Sequence, residues 1–208
     1  MSRVKVLAVR YLANADRRLC RALGAPEDHP ALGLMTADCD DATYIALDAA
    51  TKAADVAVAY SHSFYAGAAN ASTPYAGEVI GILAGKTPGA VRSGMEAALA
   101  MLSRLGFSEL SGVPVLAYTV ASVGSFLAKE AGIAPGSAVA YLIAPPLESM
   151  YAMDAALKAA DVQLCKLYTP PSQTNFGGGL LTGTQSACEA ACAAFLAAAA
   201  EVAERPLE

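Results

Sequence analysis

The nonapeptide Asp-Ala-Ala-X-Lys-Ala-Ala-Asp-Val occurs twice in this chain, once from Asp48 to Val56 and once from Asp154 to Val162. The chain has 208 residues, so each half carries one copy. An internal repeat at half the chain length indicates that a whole folding unit has been duplicated. It therefore predicts two similar domains related by pseudo-symmetry, which favours a subunit of an assembly over an enzyme with a single site.

The remaining hydrophobic patterns repeat in the same order, βαβαββα, in both halves. Half one is predicted to contain strand Val4–Leu12, helix Asn14–Leu23, strand Leu32–Thr36, helix Asp41–Ala54, strands Val56–Tyr65 and Glu78–Ala84, and a final helix after Thr87. Half two is predicted to contain strand Val113–Ala121, helix Ser122–Ala131, strand Ala138–Ala144, helix Leu147–Ala160, strands Val162–Thr169 and Gly178–Thr182, and a final helix from Thr184 to Glu204. We expect Gly24 and Gly132 to end helices, and Thr87 and Thr184 to cap them. The fold class is α+β, with domains at 1–107 and 108–205 and a tail at 206–208 that has the composition of a cloning scar.

The composition limits the classes of partner. Charged residues make up 16% of the chain, against roughly 25% in typical soluble domains, and the mean hydropathy is +0.41. No stretch reaches the roughly 18 uninterrupted apolar residues of a membrane-spanning helix. We therefore expect the apolar surface to be buried between subunits. The net charge of −5 and the lack of a basic stripe argue against nucleic acid, and the N-terminus shows no signal-peptide pattern.

The side chains that could support catalysis or bind a cofactor are few. The two histidines are His29, predicted to lie in a solvated loop, and His62, within a predicted strand; no nucleophile, base and orienting group are set up around either. The five cysteines form no CxxC pair and indicate reduced thiols. Cys188 and Cys192, four residues apart on the last helix, are interpreted as small buried apolar residues, with a metal or redox pair as the alternative. We predict no enzyme, no cofactor and no metal site.

An acidic cluster follows the second strand of half one. Asp38, Asp40 and Asp41 lie within four residues, and Glu78 opens a later strand that is otherwise apolar. Three aspartates exceed what capping one helix requires, so the cluster is able to hold a cation or an organic amine. Helix capping and solvation of a strand end are the alternative, and the residues alone leave both open.

Two long loops occupy equivalent positions in the halves, Ser63–Tyr75 and Thr169–Gly179. Each lies between the same two strands of its half, so pseudo-symmetry places both around one common feature. Such loops of small residues are where motion concentrates. The alternative is a pair of ordinary crossover loops.

Several segments resemble the EutL family, the ethanolamine-utilization shell proteins of bacterial microcompartments. The matching segments are Leu32–Tyr44, Tyr65–Ala69, Ala76–Val79, Tyr141–Glu148, Pro170–Phe176, Leu181–Gly183 and Ser186–Cys188. The resemblance covers nearly the whole chain. It implies two tandem, circularly permuted bacterial-microcompartment (BMC) shell domains, each a small, mostly antiparallel sheet packed with helices. It also implies a homotrimer that imitates a hexagonal tile, packs edge to edge with other shell proteins, and lies in the shell of a cytoplasmic microcompartment.

The resemblance further implies small pores that bind and pass ethanolamine or a related amino alcohol, and a central pore gated by loops. The ligand-contacting positions that carry over are Asp40, Asp41, Glu78, Thr174, Asn175 and Phe176. Phe107 is the nearest match to one more, in a segment between Ser103 and Val115 that is shorter here than in the family. The gating loops carry Tyr65, Gly67, Pro170, Pro171, Gly177, Gly178 and Gly179. The alternative function is a duplicated regulator that senses a small molecule, which would form a discrete oligomer and no sheets.

Overall fold

The structure is a computed structural model that describes residues 2–64, 71–170 and 174–207. The chain divides into two compact units. The N-terminal unit comprises Arg3–Leu105 and Gly124–Leu127, and the C-terminal unit comprises Met1–Ser2, Gly106–Val123 and Ala128–Glu208. The domain boundary that the repeat predicts, between residues 107 and 108, stays a prediction.

The N-terminal unit contains an antiparallel sheet of four strands. After β1 (Ser2–Arg3), its elements are β2 (Val6–Leu12), α1 (Arg17–Ala22), β3 (Ala31–Ala37), α2 (Asp40–Ala53), β4 (Val56–Ser63), β5 (Val79–Gly85) and α3 (Pro88–Leu102). The strand order is β2-β3-β5-β4, so β3 and β5 are central. These bounds confirm the predicted element types to within a few residues.

The C-terminal unit contains a sheet of six strands in the order β1-β6-β7-β8-β10-β9. The remaining elements are β6 (Gly106–Leu110), β7 (Val113–Val120), α4 (Ser125–Ala131), β8 (Ala138–Ala144), α5 (Pro146–Ala159), β9 (Val162–Tyr168), β10 (Gly177–Gly183) and α6 (Gln185–Glu204). The first turn of α4, up to Leu127, belongs to the N-terminal unit. The pairs β6–β7, β7–β8, β8–β10 and β9–β10 are antiparallel. Two antiparallel sheets packed with helices confirm the predicted α+β class.

Strand β6 was missed because it is short and lacks alternation. It forms a hairpin with β7 through Ser111 and Gly112, which have φ angles of +49° and +84°. Two consecutive residues with positive φ make the type of turn whose twist suits a two-residue hairpin. The structure therefore places Phe107 on a strand of the C-terminal unit.

The predicted helix ends are confirmed. The side-chain oxygens of Thr87 and Thr184 accept hydrogen bonds of 3.2 Å from the third residue of their helices. Gly24 and Gly132, which follow α1 and α4, have φ angles of +76° and +68°. These positions depend only on neighbours along the chain, which is why the sequence identified them.

Helix α6 has the length and composition of a membrane-spanning helix, but one of its faces lies in a protein core. Cys188, Ala191 and Phe195 are fully buried there, and Cys192 is nearly so. This burial confirms the interpretation of the two cysteines as small apolar core residues. Among the described residues, no group of three or more His, Cys, Asp or Glu is positioned to hold a metal ion.

The predicted loop from Thr169 to Gly179 includes three residues that belong to a strand in the structure. Gly177, Gly178 and Gly179 belong to β10 and are paired with β8. Gly178 has φ +144°, and a Cβ atom there would overlap the carbonyl oxygen of Leu142. These glycines permit close strand pairing, so their place in the predicted loop is wrong, whereas the predicted strand Gly178–Thr182 is confirmed with one more residue at each end. Tyr65, Gly67 and Pro171, also predicted in gating loops, lie outside the described residues, whereas Pro170 follows β9.

Candidate functional site

The acidic residues of half one meet because of strand pairing in the N-terminal unit. Ala37, the last residue of β3, lies opposite Val79, the first residue of β5. Ser63, at the end of β4, lies opposite Val79 from the other side. The start of α2 after β3 and the residue before β5 therefore meet at one end of the sheet, and they carry Asp40 and Glu78.

Asp38 has a different role from the other acids. Its Oδ1 atom accepts a hydrogen bond of 2.7 Å from the backbone N of Lys5, and its own N donates to the Lys5 carbonyl at 3.1 Å. These bonds fix the chain before β2 against the end of β3. Asp38 thus contributes charge to the cluster while its carboxylate orders the backbone.

Asp40 and Asp41 occupy the first turn of α2, and each is only 8% exposed. Asp40 Oδ1 accepts a hydrogen bond of 2.8 Å from Asp41 N, and its carboxylate is also hydrogen-bonded by the Ser63 side chain. Burial raises the pKa of Asp40, against the effect of these hydrogen bonds. One buried acid is therefore held in place by a residue of β4, the strand that follows its own helix.

Glu78 is half-buried beside Asp40. Its backbone N donates to Ala37 O at 2.8 Å, and its carbonyl accepts from Phe64 N at 2.9 Å, so its backbone is fixed on both sides. Burial first, and then the charges of Asp40 and Asp38, raise the pKa of Glu78 to about 7.

In the part of the chain that the structure describes, no lysine, arginine or histidine forms an ion pair with Asp40 or Glu78. Clustered carboxylates that lack a counter-charge favour the approach of a small cation, since the cation relieves their mutual repulsion. The arrangement is suited to bind a protonated amine.

Sequence reasoning missed Ser63 and Cys39 at this site. Cys39 is the residue before α2, and its buried thiol lies close enough to the acids to feel their charge. Burial, followed by the charge of Asp41, holds the pKa of the Cys39 thiol well above its usual range, so the thiol stays protonated. Ser63 gave no signal in the sequence, because its contact with Asp40 depends on the pairing of β4 with β5.

The other predicted ligand residues lie in the C-terminal unit. The rings of Phe107 and Phe176 are 5.9 Å apart between centroids, at an interplanar angle of 45°. Thr174 and Phe176 are half-buried, whereas Asn175 is exposed with φ +63°. The structure thus brings together an apolar pair with an amide and a hydroxyl nearby along the chain.

The histidines form no catalytic arrangement. His29 is 9% exposed, and its Nδ1 atom lies 2.7 Å from Asp28 Oδ1, so the predicted solvated loop is wrong for its side chain. Asp28 also pairs with Lys86 at 3.3 Å. The His29–Asp28 pair orders a surface turn, and His62 is exposed on β4 beside Tyr60.

Comparison with known proteins identifies relatives over the whole chain. The family model of the BMC domain matches residues 31–117. The chain is 55% identical to the bacterial microcompartment shell protein EutL of Clostridium perfringens over 209 aligned residues, which cover 99% of this chain and 96% of the relative. It is 46% identical to the bacterial microcompartment shell protein EutL of Escherichia coli, with the same two coverages, 99% and 96%.

The fold also matches a solved structure. The crystal structure of ethanolamine utilization protein EutL from Leptotrichia buccalis superposes with a TM-score of 0.97 at 54% sequence identity. The match covers 100% of this chain and 97% of that chain. A tandem arrangement of BMC-type domains therefore accounts for the two sheets and the internal repeat.

Proposed function

Since the chain belongs to the EutL family of bacterial microcompartment shell proteins, we propose that it forms a tile in the shell of an ethanolamine-utilization microcompartment in the cytoplasm. It is a structural shell protein and performs no catalysis. The tile is a homotrimer in which six similar domains form a pseudohexagonal ring, and it packs edge to edge with other shell proteins. The sequence repeat and the exposed apolar side chains, among them Leu147 at 62% and Tyr151 at 49%, support extensive contacts between subunits.

The acidic cluster supports the second part of the proposal, a small pore that binds ethanolamine or a related amino alcohol. The observation that carries it is that buried Asp40 lies near half-buried Glu78 and that neither has a cationic partner among the described residues. A protonated amine is attracted by carboxylates, with Asp41 adding charge.

The predicted ligand positions of the C-terminal unit have the chemistry to contact an alcohol. The hydroxyl of Thr174 and the amide of Asn175 are suited to an alcohol group. Phe107 and Phe176 offer apolar contact for its methylene groups. Each cluster thus supplies part of the chemistry that an amino alcohol requires.

Gating of a central pore is the third part of the proposal. The segments concerned are Ser63–Tyr75 and the shorter stretch from Pro170 to Phe176, because the three glycines of the second loop belong to β10. Pro170 would hold one end of its segment, and Phe176 would dock or release at the other. A ligand at Thr174–Phe176 shifts such an equilibrium only by its difference in affinity for the two states.

Electron microscopy of concentrated protein tests the tile. Flat sheets of hexagonally packed particles are expected, whereas discrete particles at every concentration would favour the small-molecule-sensing regulator. Calorimetry with ethanolamine tests the site: Asp40→Asn combined with Glu78→Gln should weaken binding and leave the oligomer intact. Asp161→Asn, an exposed acid outside the cluster, is the matched control. Equal affinity in all three proteins would assign the acids to helix capping.

A further inference from the structure

One helix face differs in burial between the two copies of the repeated nonapeptide. In α2, Ile45 is 1% exposed and Asp48 is fully buried. Their equivalents in α5, by the register of the nonapeptide, are Tyr151, which is 49% exposed, and Asp154, whose side chain is 62% exposed. Leu147, one turn before Tyr151, is 62% exposed. The same helix face is therefore covered in one half and open in the other.

The face of α2 is covered by the first turn of α4. Asp48 Oδ2 accepts a hydrogen bond of 2.7 Å from Gly124 N, and its Oδ1 accepts one of 2.9 Å from Leu127 N. Ser125 N donates to Thr51 Oγ1 at 3.2 Å. The chain itself thus shows which kind of segment this helix face receives.

The counterpart of that turn in half one is the first turn of α1. Ala25 N donates to Cys20 O at 3.0 Å after α1, and Ile133 N donates to Ala128 O at 3.0 Å after α4. Since both bonds close the same type of helix end, Cys20 corresponds to Ala128. This register makes the residues before Cys20 the equivalents of the residues before Ala128.

The first turn of α1 is open where its counterpart is covered. Leu127 is 1% exposed, whereas its equivalent Leu19 is 43% exposed. Gly124 is buried, whereas its equivalent Asp16 is exposed. The exposed face of α5 lacks a covering turn, and the exposed first turn of α1 is a segment of the kind that covers the equivalent face of α2.

We propose that the α5 face, formed by Leu147, Tyr151 and Asp154, receives the α1 turn, formed by Asp16, Arg17 and Leu19, of a second copy of this chain. The contact is heterologous because the two surfaces differ, and a heterologous contact joins successive copies into a ring when its rotation closes. This inference rests on the proposed trimer and specifies the contact that closes it. Leu19 packs on the side chains of the α5 face as Leu127 packs in the covered turn.

The contact differs chemically from its internal counterpart. A Cβ atom on Gly124 would overlap Thr51 Oγ1, and the equivalent residue of the α1 turn is Asp16, which carries a full side chain. The Asp16 carboxylate accepts a hydrogen bond of 2.8 Å from Arg18 N and is also hydrogen-bonded by the backbone of Leu19, the equivalent of Leu127, so it caps α1 itself. The amides of this turn are therefore not available to Asp154 in the way that those of α4 are available to its equivalent.

Side-chain charge takes the place of these amide bonds. Asp154 and Lys158 form an ion pair of 2.6 Å on α5, and the α1 turn presents Asp16 and Arg17. Arg18 of the same turn pairs with Asp16 at 3.0 Å, which leaves Arg17 as the base that faces an acid of the second copy. Asp154 pairs with Arg17 of the second copy, while Lys158 faces Asp16.

The apolar part of the contact is tested by dilution of the oligomer in native mass spectrometry. Tyr151→Asp and Leu19→Asp should each raise the concentration at which the trimer dissociates by roughly tenfold or more, as expected for a buried anchor residue. Leu164→Asp is the matched control, because Leu164 is 45% exposed on β9 and its equivalent Val58 is only half-buried. Its dissociation concentration should stay within about twofold of the wild type.

The ion pair proposed between Asp154 and Arg17 of the second copy is tested by reversing each charge. This test is independent of the apolar variants. Asp154→Arg alone and Arg17→Asp alone should each weaken association about fivefold, since both place like charges together. The combination should recover most of the wild-type affinity. If the double variant associates no more tightly than the single variant with the lower affinity, the pairing of Asp154 with Arg17 is contradicted.

The outcomes separate this inference from the proposed trimer. A wild-type protein that is monomeric at micromolar concentration contradicts the trimer and the contact together. A wild-type trimer that tolerates Tyr151→Asp and Leu19→Asp as well as it tolerates Leu164→Asp contradicts the contact alone.

Discussion

Asp48 Oδ2 accepts a hydrogen bond of 2.7 Å from the backbone N of Gly124, and the Asp48 side chain is fully buried. The same carboxylate accepts from Leu127 N and lies 3.4 Å from Lys52 Nζ. A carboxylate at the first turn of a helix satisfies amides that have no partner within that helix. This residue of the repeated nonapeptide thus anchors a segment that comes from the other half of the sequence.

Asp48→Ala should lower the free energy of unfolding by about 3 kcal/mol, because the buried amides of Gly124 and Leu127 lose a charged acceptor. Denaturant titration measures the change. Asp55→Ala is the control, since Asp55 is exposed in the same copy of the nonapeptide. A loss of less than about 0.5 kcal/mol for both variants would contradict the anchoring role.

Gly178→Ala should destabilise the protein by several kcal/mol, on the order of the most severe overpacking, because the added Cβ atom would overlap the Leu142 carbonyl at φ +144°. Gly136→Ala is the matched variant: Gly136 has φ +90°, and nothing lies within 4 Å of the position that its methyl group would take. It should cost only about 1–2 kcal/mol, the ordinary penalty of a left-handed backbone. Equal losses in thermal or denaturant unfolding would mean that β10 tolerates a looser pairing.

Ethanolamine affinity should rise between pH 6 and pH 8. The pKa of Glu78 is about 7, so the carboxyl changes from mostly neutral to mostly charged in this interval, while the amine, like a lysine ammonium, stays protonated. Calorimetry across this range measures the change. Glu78→Gln should flatten the profile, and a profile of the wild type that is already flat would exclude Glu78 from the amine contact.

The same carboxyl affects stability with the opposite dependence on pH. The pKa of Glu78 is raised from 4.5 to about 7 in the folded protein, so the folded state binds this proton more tightly than the unfolded chain does. The contribution is fully present below pH 4.5 and is lost as the pH rises through about 7. Without ligand, Glu78→Gln should reduce the fall in thermal stability between pH 5 and pH 8, by a modest amount because Glu78 is half exposed to solvent.

Phe107→Ala and Phe176→Ala should have non-additive effects on stability, with a coupling energy of about 0.5–1.5 kcal/mol, because the two rings are in contact. A double-mutant cycle in denaturant measures it. If these rings also contact the methylene groups of the ligand, each variant should weaken ethanolamine binding. Additive effects on stability would mean that the ring contact contributes no energy of its own.

Hydrogen exchange should separate the parts of the second predicted gating loop. Amides of Gly178 and Gly179 should exchange as slowly as the rest of β10, whereas those of Thr174 and Asn175 should exchange faster and slow down with ethanolamine. Uniform protection from Thr174 to Gly179, with and without ligand, would contradict gating by this segment.

Part of the candidate site could be predicted from the sequence. Asp40 and Glu78 drew attention as acids at the ends of apolar elements, and the resemblance to a family assigned them to one ligand. Ser63 could not be found in this way, because its contact with Asp40 depends on the register of β4 against β5. The three glycines of β10 were misplaced for the same reason, since their close approach to β8 is a property of the paired strands.

The sequence by itself determined the local elements and their duplication. Thr87 and Thr184 cap helices through bonds to residues three positions away, and the nonapeptide forms the same part of a helix in both halves. Only the tertiary structure decided that Asp48 is buried and Asp154 is exposed, although the two lie in nearly identical sequences. Helix formation depends on neighbours within about one turn, whereas burial depends on which distant segment packs against the helix.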